Sequence, residues 1–363
     1  MINLKRNIFK CVLTTILIFN ISLVATANTN HKEEHSKFKP GEFIMHHIYD
    51  AHEWHICTIG EKHICIPLLI IVHSETKGWN VFSSRKFHHG EKSYKGFKLE
   101  KEGKYAGKIV EVLDDGVTIN EAVSLPLDFS ITKDVVGVFF SLLIMLWVFI
   151  SVAKGYDKNK GRAPKGIQSA VEPIILFIRD DIAKPSIGEK QYEKFTPFLL
   201  TIFFFILINN LFGLIPIFPF GANLTGNITI TMVLALFTFF VTNISANKHY
   251  WKEIFNSPTI PWWLKFPIPL VPIVEILGMF TKPLILMIRL FANMSSGHII
   301  ALGFFSLIFV FGEMSVGLGY GVSLLSVAFS IFMTMLDLLI SVIQAYVFTL
   351  LSAIYFGMAT EEH

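Results

Sequence analysis

Read as blocks of apolar and polar positions, the chain has a polar first third and an apolar remainder. Residues 1–27 begin with Lys5, Arg6 and Lys10, run through apolar Cys11 to Val24 and close on Ala25-Thr26-Ala27. That is the order of a secretory signal with a small-residue cleavage site. An uncleaved anchor is the other reading, and both place the next segment outside the cytoplasm. Residues 28–131 are polar, and within them Val81, Phe82, Phe87, Phe97, Tyr105, Ile109, Val110 and Val112, with glycines between, predict short β-strands. We expect a small β-rich extracytoplasmic domain there. Apolar runs follow at about 133–153, 195–218 and 228–246. They are continuous rather than alternating, and near the roughly 20 residues that cross a hydrocarbon core as helix.

Charge sets the direction of these spans. Lys154, Lys158, Lys160, Arg162 and Lys165 follow the first span with Asp157 as the one acid among them, which marks the cytoplasmic side. Residues 165–194 are too polar to cross. Ile167, Val171, Ile174, Ile175 and Ile178 recur at helical spacing, with Glu172, Arg179 and Asp180 elsewhere on the turn, so an amphipathic helix on the cytoplasmic surface is expected. The spans at 195–218 and 228–246 form a hairpin whose uncharged tip, Gly221 to Asn227, lies outside. The first of them ends at Pro216 and Pro219, and Lys248, Lys252 and Lys265 lie back inside.

The last third is unusual. From Ile268 to Gly312 the ionisable groups are Glu275, Lys282, Arg289 and His298, and from Val322 to Ala359 there is Asp337 alone. As helices these stretches would be roughly 67 Å and 57 Å long, about twice a 30 Å core. Such helices tilt steeply or break. With Gly317-Leu318-Gly319-Tyr320-Gly321 as the turn between them, a steep hairpin follows. The expected fold is an all-α polytopic membrane protein of about five membrane helices. It divides into a signal at 1–27, the extracytoplasmic domain at 28–131 and a membrane domain at 132–363.

Composition agrees: 16% of the 363 residues are charged and 52% hydrophobic, whereas soluble domains are about a quarter charged. Cys57 and Cys65 fall in the first domain, where a disulfide is permitted and two separate thiols are the other reading. Ten of the 13 histidines lie between His31 and His89. The run His46, His47, Asp50, His52, Glu53, His55 invites a metal reading, but its spacing matches no recognised zinc module. Surface histidines are the simpler reading, so no metal ligands and no cofactor are assigned.

The intramembrane charges carry the chemistry. Arg289 lies deep in apolar sequence at a cost of about 2.5–3.5 kcal/mol on insertion scales, and its guanidinium keeps its proton. On a helix Lys282 falls about 20° and Glu275 about 40° from the line of Arg289, with Asn293 and Ser296 on the same stripe. His298 faces the opposite side. The final helix has a stripe of its own, Thr334, Asp337, Ser341 and Gln344. A buried aspartate needs a partner or a proton, and His298 and Arg289 are the partners available. A histidine–carboxylate pair is suited to passing protons, or it braces two helices. A fixed positive charge between two wet regions blocks direct proton passage.

Here the sequence resembles a known family. Pro283-Leu284-Ile285-Leu286-Met287-Ile288-Arg289-Leu290-Phe291-Ala292-Asn293-Met294, with Gly297, Gln344-Ala345-Tyr346-Val347-Phe348 and the ending Met358 to His363, is similar to the signature of subunit a of F-type ATP synthases. Phe195 to Pro216 resembles the family's second membrane helix. The resemblance covers about residue 130 to the end. It implies that Arg289 is the stator arginine beside the rotating c-ring, with Asn293 and Gln344 nearby. It places His298 and Asp337, with Ser341, in an extracytoplasmic half-channel, and Glu275 and Lys282 toward a cytoplasmic one. The order histidine then acid reverses that of some members. The implied partners are the c-ring proteolipids, peripheral-stalk subunit b, the catalytic head indirectly, and membrane lipid. Nucleic acid is not among them, and the implied location is the bacterial inner membrane, with the C-terminus cytoplasmic. The chain has no Gly-Lys-Thr phosphate loop, so it is not expected to be catalytic alone. A secondary transporter would show two related halves with broken helices, and no such repeat is present. A noncatalytic membrane anchor is the other rival.

Overall fold

The computed structural model describes residues 40–59, 62–101, 103–113, 115–215, 220–256 and 270–361. Residues 1–27, expected as a signal, lie outside them with Lys265, Pro216 and Pro219, as do the side chains of His46, His47, His55 and Cys57. The N-terminal part is small and β-containing. Helix α1 (Pro40–Ile48) leads to an antiparallel hairpin of β1 (Glu53–Ile59) and β2 (Lys62–Pro67). Strands β3 (Leu69–Ser74) and β4 (Gly78–Ser83) pair with each other, and β7 (Leu127–Asp128) joins β3. Strands β5 (Phe97–Leu99) and β6 (Ile109–Glu111) make a third, two-stranded sheet. Alternation in β3 buries Ile70 and Val72, which pack with Phe82, Phe87, Phe97 and Ile109 into a compact core. Of the apolar positions expected in strands, Phe87 and Tyr105 sit in 3₁₀ turns instead. The hairpin β1–β2 was hidden by its histidines and cysteines.

The remainder is helical: α2 (Lys133–Lys158), α3 (Ile167–Phe177), a π-turn at Ile178–Ala183 running into α4 (Lys184–Ile187), α5 (Tyr192–Gly213), α6 (Ile228–Ile244), α7 (Lys248–Asn256), α8 (Leu270–Met314) and α9 (Val316–Thr360). Four of these, α2, α5, α8 and α9, are long and apolar enough to cross a membrane, and the bent pair α6–α7 adds a fifth. At 45 residues each, α8 and α9 would reach roughly 67 Å, so they cross a 30 Å core only when strongly inclined. Their core is shared with α5 and the π-turn, through Ile178, Ile182, Leu199, Ile206, Leu286, Leu290 and Phe356, all at most 1% exposed. The expected amphipathic segment is present as α3, the π-turn and α4, with Val171 and Ile178 buried.

The turn of the long hairpin differs from expectation. The chain reverses at Ser315, which is extended at φ −163° and ψ 136°, and the Gly317–Gly321 stretch is already the first turn of α9. Its glycines serve the helix crossing. A Cβ at Gly319 would lie 2.9 Å from the Gly312 Cα, so only a bare backbone lets the two helices meet there.

The ends of α6 mark the two ends of the membrane part. At its start, Asn227 Nδ2 donates to Asp134 Oδ2 at 2.8 Å, and the Asp134 amide donates to Asp50 Oδ1 at 3.0 Å. Trp54 of β1 is buried with Ala222 and Leu224 at the same end. Just beyond the other end, Asn247 Nδ2 donates to the Thr360 carbonyl at 2.9 Å. The N-terminal sheets and the C-terminus therefore lie at opposite ends of α6.

Gly319→Ala should destabilise the hairpin by about 1–3 kcal/mol through overpacking. Gly312→Ala, whose Cβ would meet nothing within 4 Å, should be neutral or stabilising. Thermal unfolding in detergent reads both, and equal behaviour would refute the contact. In the N-terminal part, burial raises the Asp128 carboxyl, but the His52 and Ser130 hydrogen bonds and the His52 charge outweigh it and hold it below its usual value. A depressed carboxylate stabilises the fold above its unfolded pKa, and that stability is lost as pH falls through the folded value. Unfolding of the wild type should thus steepen at acid pH, below about 4, and Asp128→Asn should flatten that dependence.

Candidate functional site

Arg289 sits on α8 on an exposed face, with Ile285 48% and Ile288 47% exposed beside it. Among the described residues no carboxylate pairs with it. The guanidinium is thus presented to whatever covers this outer face. Asn293, one turn on, is half-buried. Toward the start of the helix, Lys282 is half-buried with its Nζ 5.5 Å from the centre of the Tyr355 ring, and Glu275 is exposed.

Behind this face the hairpin carries a polar seam. Asp337, Ser341 and Gln344 are 6%, 0% and 6% exposed. The Asp337 carboxylate lies directly over Gly297, where a Cβ would collide with it. That bare backbone is what admits an acid between α8 and α9. Ser341 Oγ donates to the Asp337 carbonyl at 2.7 Å, and Asn210 Nδ2 of α5 donates to the Ser341 carbonyl at 3.2 Å. His298, on the far side of α8 from Arg289, points toward the end of α5: a Cβ at Gly213 would be 3.4 Å from its Nε2. Ser295 Oγ donates to the Gly226 carbonyl at 3.2 Å, which links the seam to Asn227 and Asp134 at the start of α6.

Among the described residues no hydrogen bond or ion pair joins His298 to Asp337, or either to Arg289. The Asp337 carboxylate thus lies against Gly297, the residue before His298, without a direct bond to the histidine. Instead His298 Nε2, Asn209 Oδ1, Asn210 Oδ1, Thr225 Oγ1, Asn223 Nδ2 and Ser330 Oγ are buried without a protein partner. Asn243 Oδ1, at the other end of α6, is likewise unpartnered. Leaving such groups dry costs about 1–3 kcal/mol each, so they call for water. Sequence reasoning missed Asn209, Asn210, Thr225 and the Asp134–Asn227 contact. The signal available was the Asn209-Asn210 doublet in mid-span, since two amides within an apolar helix need a reason.

Near the opposite end of α6 lies a small, mostly apolar cleft in which Phe239, Met279 and Pro283 stand beside Thr238, Thr242, Asn243, Tyr250, Lys282 and Tyr355. The structure thus brings His298, Asp337 and Ser341 toward one end and Lys282 toward the other, with Arg289 between them on α8.

Residues 135–357 match the family model of the ATP synthase A chain, and residues 43–129 match a family described as a domain of unknown function (DUF8433). The chain is 43% identical over 245 residues to ATP synthase subunit a of Chloroherpeton thalassium, covering 65% of this chain and 69% of that one. It is 37% identical over 330 residues to ATP synthase subunit a 2 of Chlorobaculum tepidum, covering 89% and 74%. The second likeness reaches well into the N-terminal part. ATP synthase subunit a of Anaeromyxobacter dehalogenans is 36% identical over 246 residues, covering 65% and 60%.

If the seam is hydrated, Asn210→Cys and Ser341→Cys, made with the native cysteines replaced by serine, should react with small water-soluble thiol reagents in native membranes. Leu338→Cys, at a position half exposed on the outer face, should react far more slowly. Equal labelling of all three would refute a water-filled seam.

Proposed function

The chain belongs to the ATP synthase A chain family, and from that premise we propose how its residues carry ions. It is a multi-pass membrane protein, the non-catalytic stator subunit of the membrane sector of an F-type ATP synthase, and nucleotide chemistry resides in other subunits. Its partner in that sector is the c-ring. Contacts with peripheral-stalk subunit b, and through the stalk with the catalytic head, are the finer form of the same reading.

The observation that carries the mechanism is Arg289, a permanent cation on an exposed helix face that pairs with no carboxylate among the described residues. A carboxylate on a rotating ring supplies its counter-charge. A proton enters at the end where Asp134 and Asn227 meet and follows the hydrated seam past His298, Asp337 and Ser341, near Asn293 and Gln344. It neutralises a ring carboxylate, which can then turn into lipid. After nearly a full turn the carboxylate meets the region near Lys282 and Glu275 and releases its proton. Arg289 separates the two paths, since a proton cannot hop through a site that holds a fixed positive charge. Each proton crossing 100 mV yields about 2.3 kcal/mol, so several are combined for each ATP.

The positive charges after α2 favour the cytoplasmic side for that end of the bundle. Residues 28–131 then form an extracytoplasmic domain at the entry end, and the C-terminus is cytoplasmic in a bacterial inner membrane. The placement of the sheets and the C-terminus at opposite ends of α6 supports this orientation.

Inverted vesicles carrying Arg289→Gln should lose ATP-driven acidification while retaining the ring and catalytic head. Normal pumping with the complex assembled would make Arg289 a structural residue and leave a membrane anchor as the better reading.

A further inference from the structure

The N-terminal part brings together three side chains that have no place in proton transfer. Glu53 opens β1, Cys65 lies on β2, and His89 follows the 3₁₀ turn Ser84–Phe87 that continues from β4. Their ligand atoms all lie within 4.8 Å of one another, and His89 Nδ1 is 2.6 Å from Glu53 Oε2. The pairing register explains how two of them meet. Glu53 pairs with Pro67 and His55 with Cys65, so Glu53 and Cys65 are diagonal neighbours on one face of the hairpin. By alternation Trp54 takes the other face, where it is buried against the loop at Ala222 and Leu224. The third group is delivered by an uncommon backbone. His88 and His89 both have positive φ, 44° and 60°, in a region that non-glycine residues enter at a cost of about 1–2 kcal/mol each.

We propose that Glu53, Cys65 and His89 form a binding site for a zinc-type divalent cation. A carboxylate oxygen, a thiolate and an imidazole are the donors zinc takes, and three protein ligands leave one coordination position open. Thiolate and imidazole together select such an ion over magnesium or calcium. Donors at about 2.0–2.3 Å from a tetrahedral centre are roughly 3.3–3.8 Å apart, so the three atoms already stand near coordinating distance. On binding, the cation replaces the Glu53–His89 hydrogen bond, whose proton passes to the other imidazole nitrogen, and the Cys65 thiol gives up its proton to solvent. The side chains of Glu53 and His89 are 14% and 44% exposed, so the site is reachable from water. Directly across the ladder from Cys65 the register sets His55, a residue of ligand type.

The site has a structural purpose. The β1–β2 hairpin belongs to a different sheet from β3 and β4, and the sheets of this part are only two or three strands each. Small folds with thin cores are held by crosslinks, and a cation here would tie the hairpin docked on the membrane bundle to the sheet above it. Of the dense run around His46–His55 only Glu53 takes part; Cys65 and His89 come from later in the chain.

The test uses the detergent-purified full chain, stripped with chelator and reloaded with zinc, then with cobalt. Wild type and His73→Ala, a control whose ring packs on Trp79, should each retain about one zinc per chain. Cys65→Ser and His89→Ala should bind at least tenfold more weakly. Cobalt-loaded wild type should show a thiolate-to-cobalt charge-transfer band that Cys65→Ser lacks, a readout that stands on wild type even if a variant folds poorly. Equal zinc content in all four proteins, no thiolate band in wild type, or a Cys57–Cys65 disulfide as the only species in non-reducing peptide mass spectrometry would each overturn the site.

Discussion

The rest of this structure depends on one uncompensated cation. Arg289 cannot discharge itself, costs several kilocalories per mole in hydrocarbon, and meets no carboxylate among the described residues of its own chain. Most buried arginines are paired within the fold. Here the pairing is deferred to a neighbour, which requires the helix that carries Arg289 to stay open on one side along its length. The long inclined hairpin α8–α9 meets that requirement. It turns one apolar face outward, with Ile285, Ile288, Leu338 and Leu339 near half exposed, and packs the other against α5 and α6. An ordinary upright bundle would bury Arg289 on all sides and force a counter-ion into the chain.

The same hairpin solves the opposite problem on its inner side. In the proposed mechanism protons approach the outer face without leaking past it, which asks for an inner seam that is wet but interrupted. Its wetness comes mostly from neutral groups, Asn209, Asn210, Thr225, Asn223 and Ser330, whose unpartnered atoms ask for water without adding charge. Two titratable groups, His298 and Asp337, stand among them without bonding to each other. A direct His–Asp pair would hold its proton tightly, whereas separated groups bridged by water can exchange one. Gly297 makes the arrangement sterically feasible, since any side chain there would displace the Asp337 carboxylate.

Much of this was legible in the sequence, for specific reasons. The hairpin could be read because 38 residues from Val322 to Ala359 contain one charge, a pattern only a long membrane helix tolerates. Arg289, His298 and Asp337 stood out because ions in apolar sequence are expensive. Amides are cheaper and so less conspicuous, and their meaning depends on partners distant in sequence. Asn227 reaches back to Asp134, and Asn210 reaches forward to Ser341. The turn was misplaced because a glycine-rich stretch is an ordinary turn signal. In this fold it relieves a helix–helix contact, and an extended serine makes the reversal. The β1–β2 hairpin escaped notice because its strands alternate histidine, cysteine and apolar residues in a way that imitates a polar coil.

The N-terminal sheets are tied to the channel by contacts at its mouth. Asp50 accepts from the amide of Asp134, Ala51 accepts from the amide of Lys133 at 2.9 Å, and Trp54 is buried against the loop that precedes α6. Asp134 in turn holds Asn227, the residue that caps α6 by accepting from the Thr229 amide at 3.0 Å. One acid and one amide therefore join the sheet region, the start of α2 and the start of α6. A shift of the β1–β2 hairpin would be felt first at these caps, and the adjoining Leu224–Gly226 turn leads through Ser295 into the seam. The separate family model over residues 43–129 marks this region as a module in its own right. Its position fixes it to the membrane part, because removing it would take the Asp50 acceptor from the Asp134 amide and expose the apolar surface under Trp54, at the end where the proposed proton path begins.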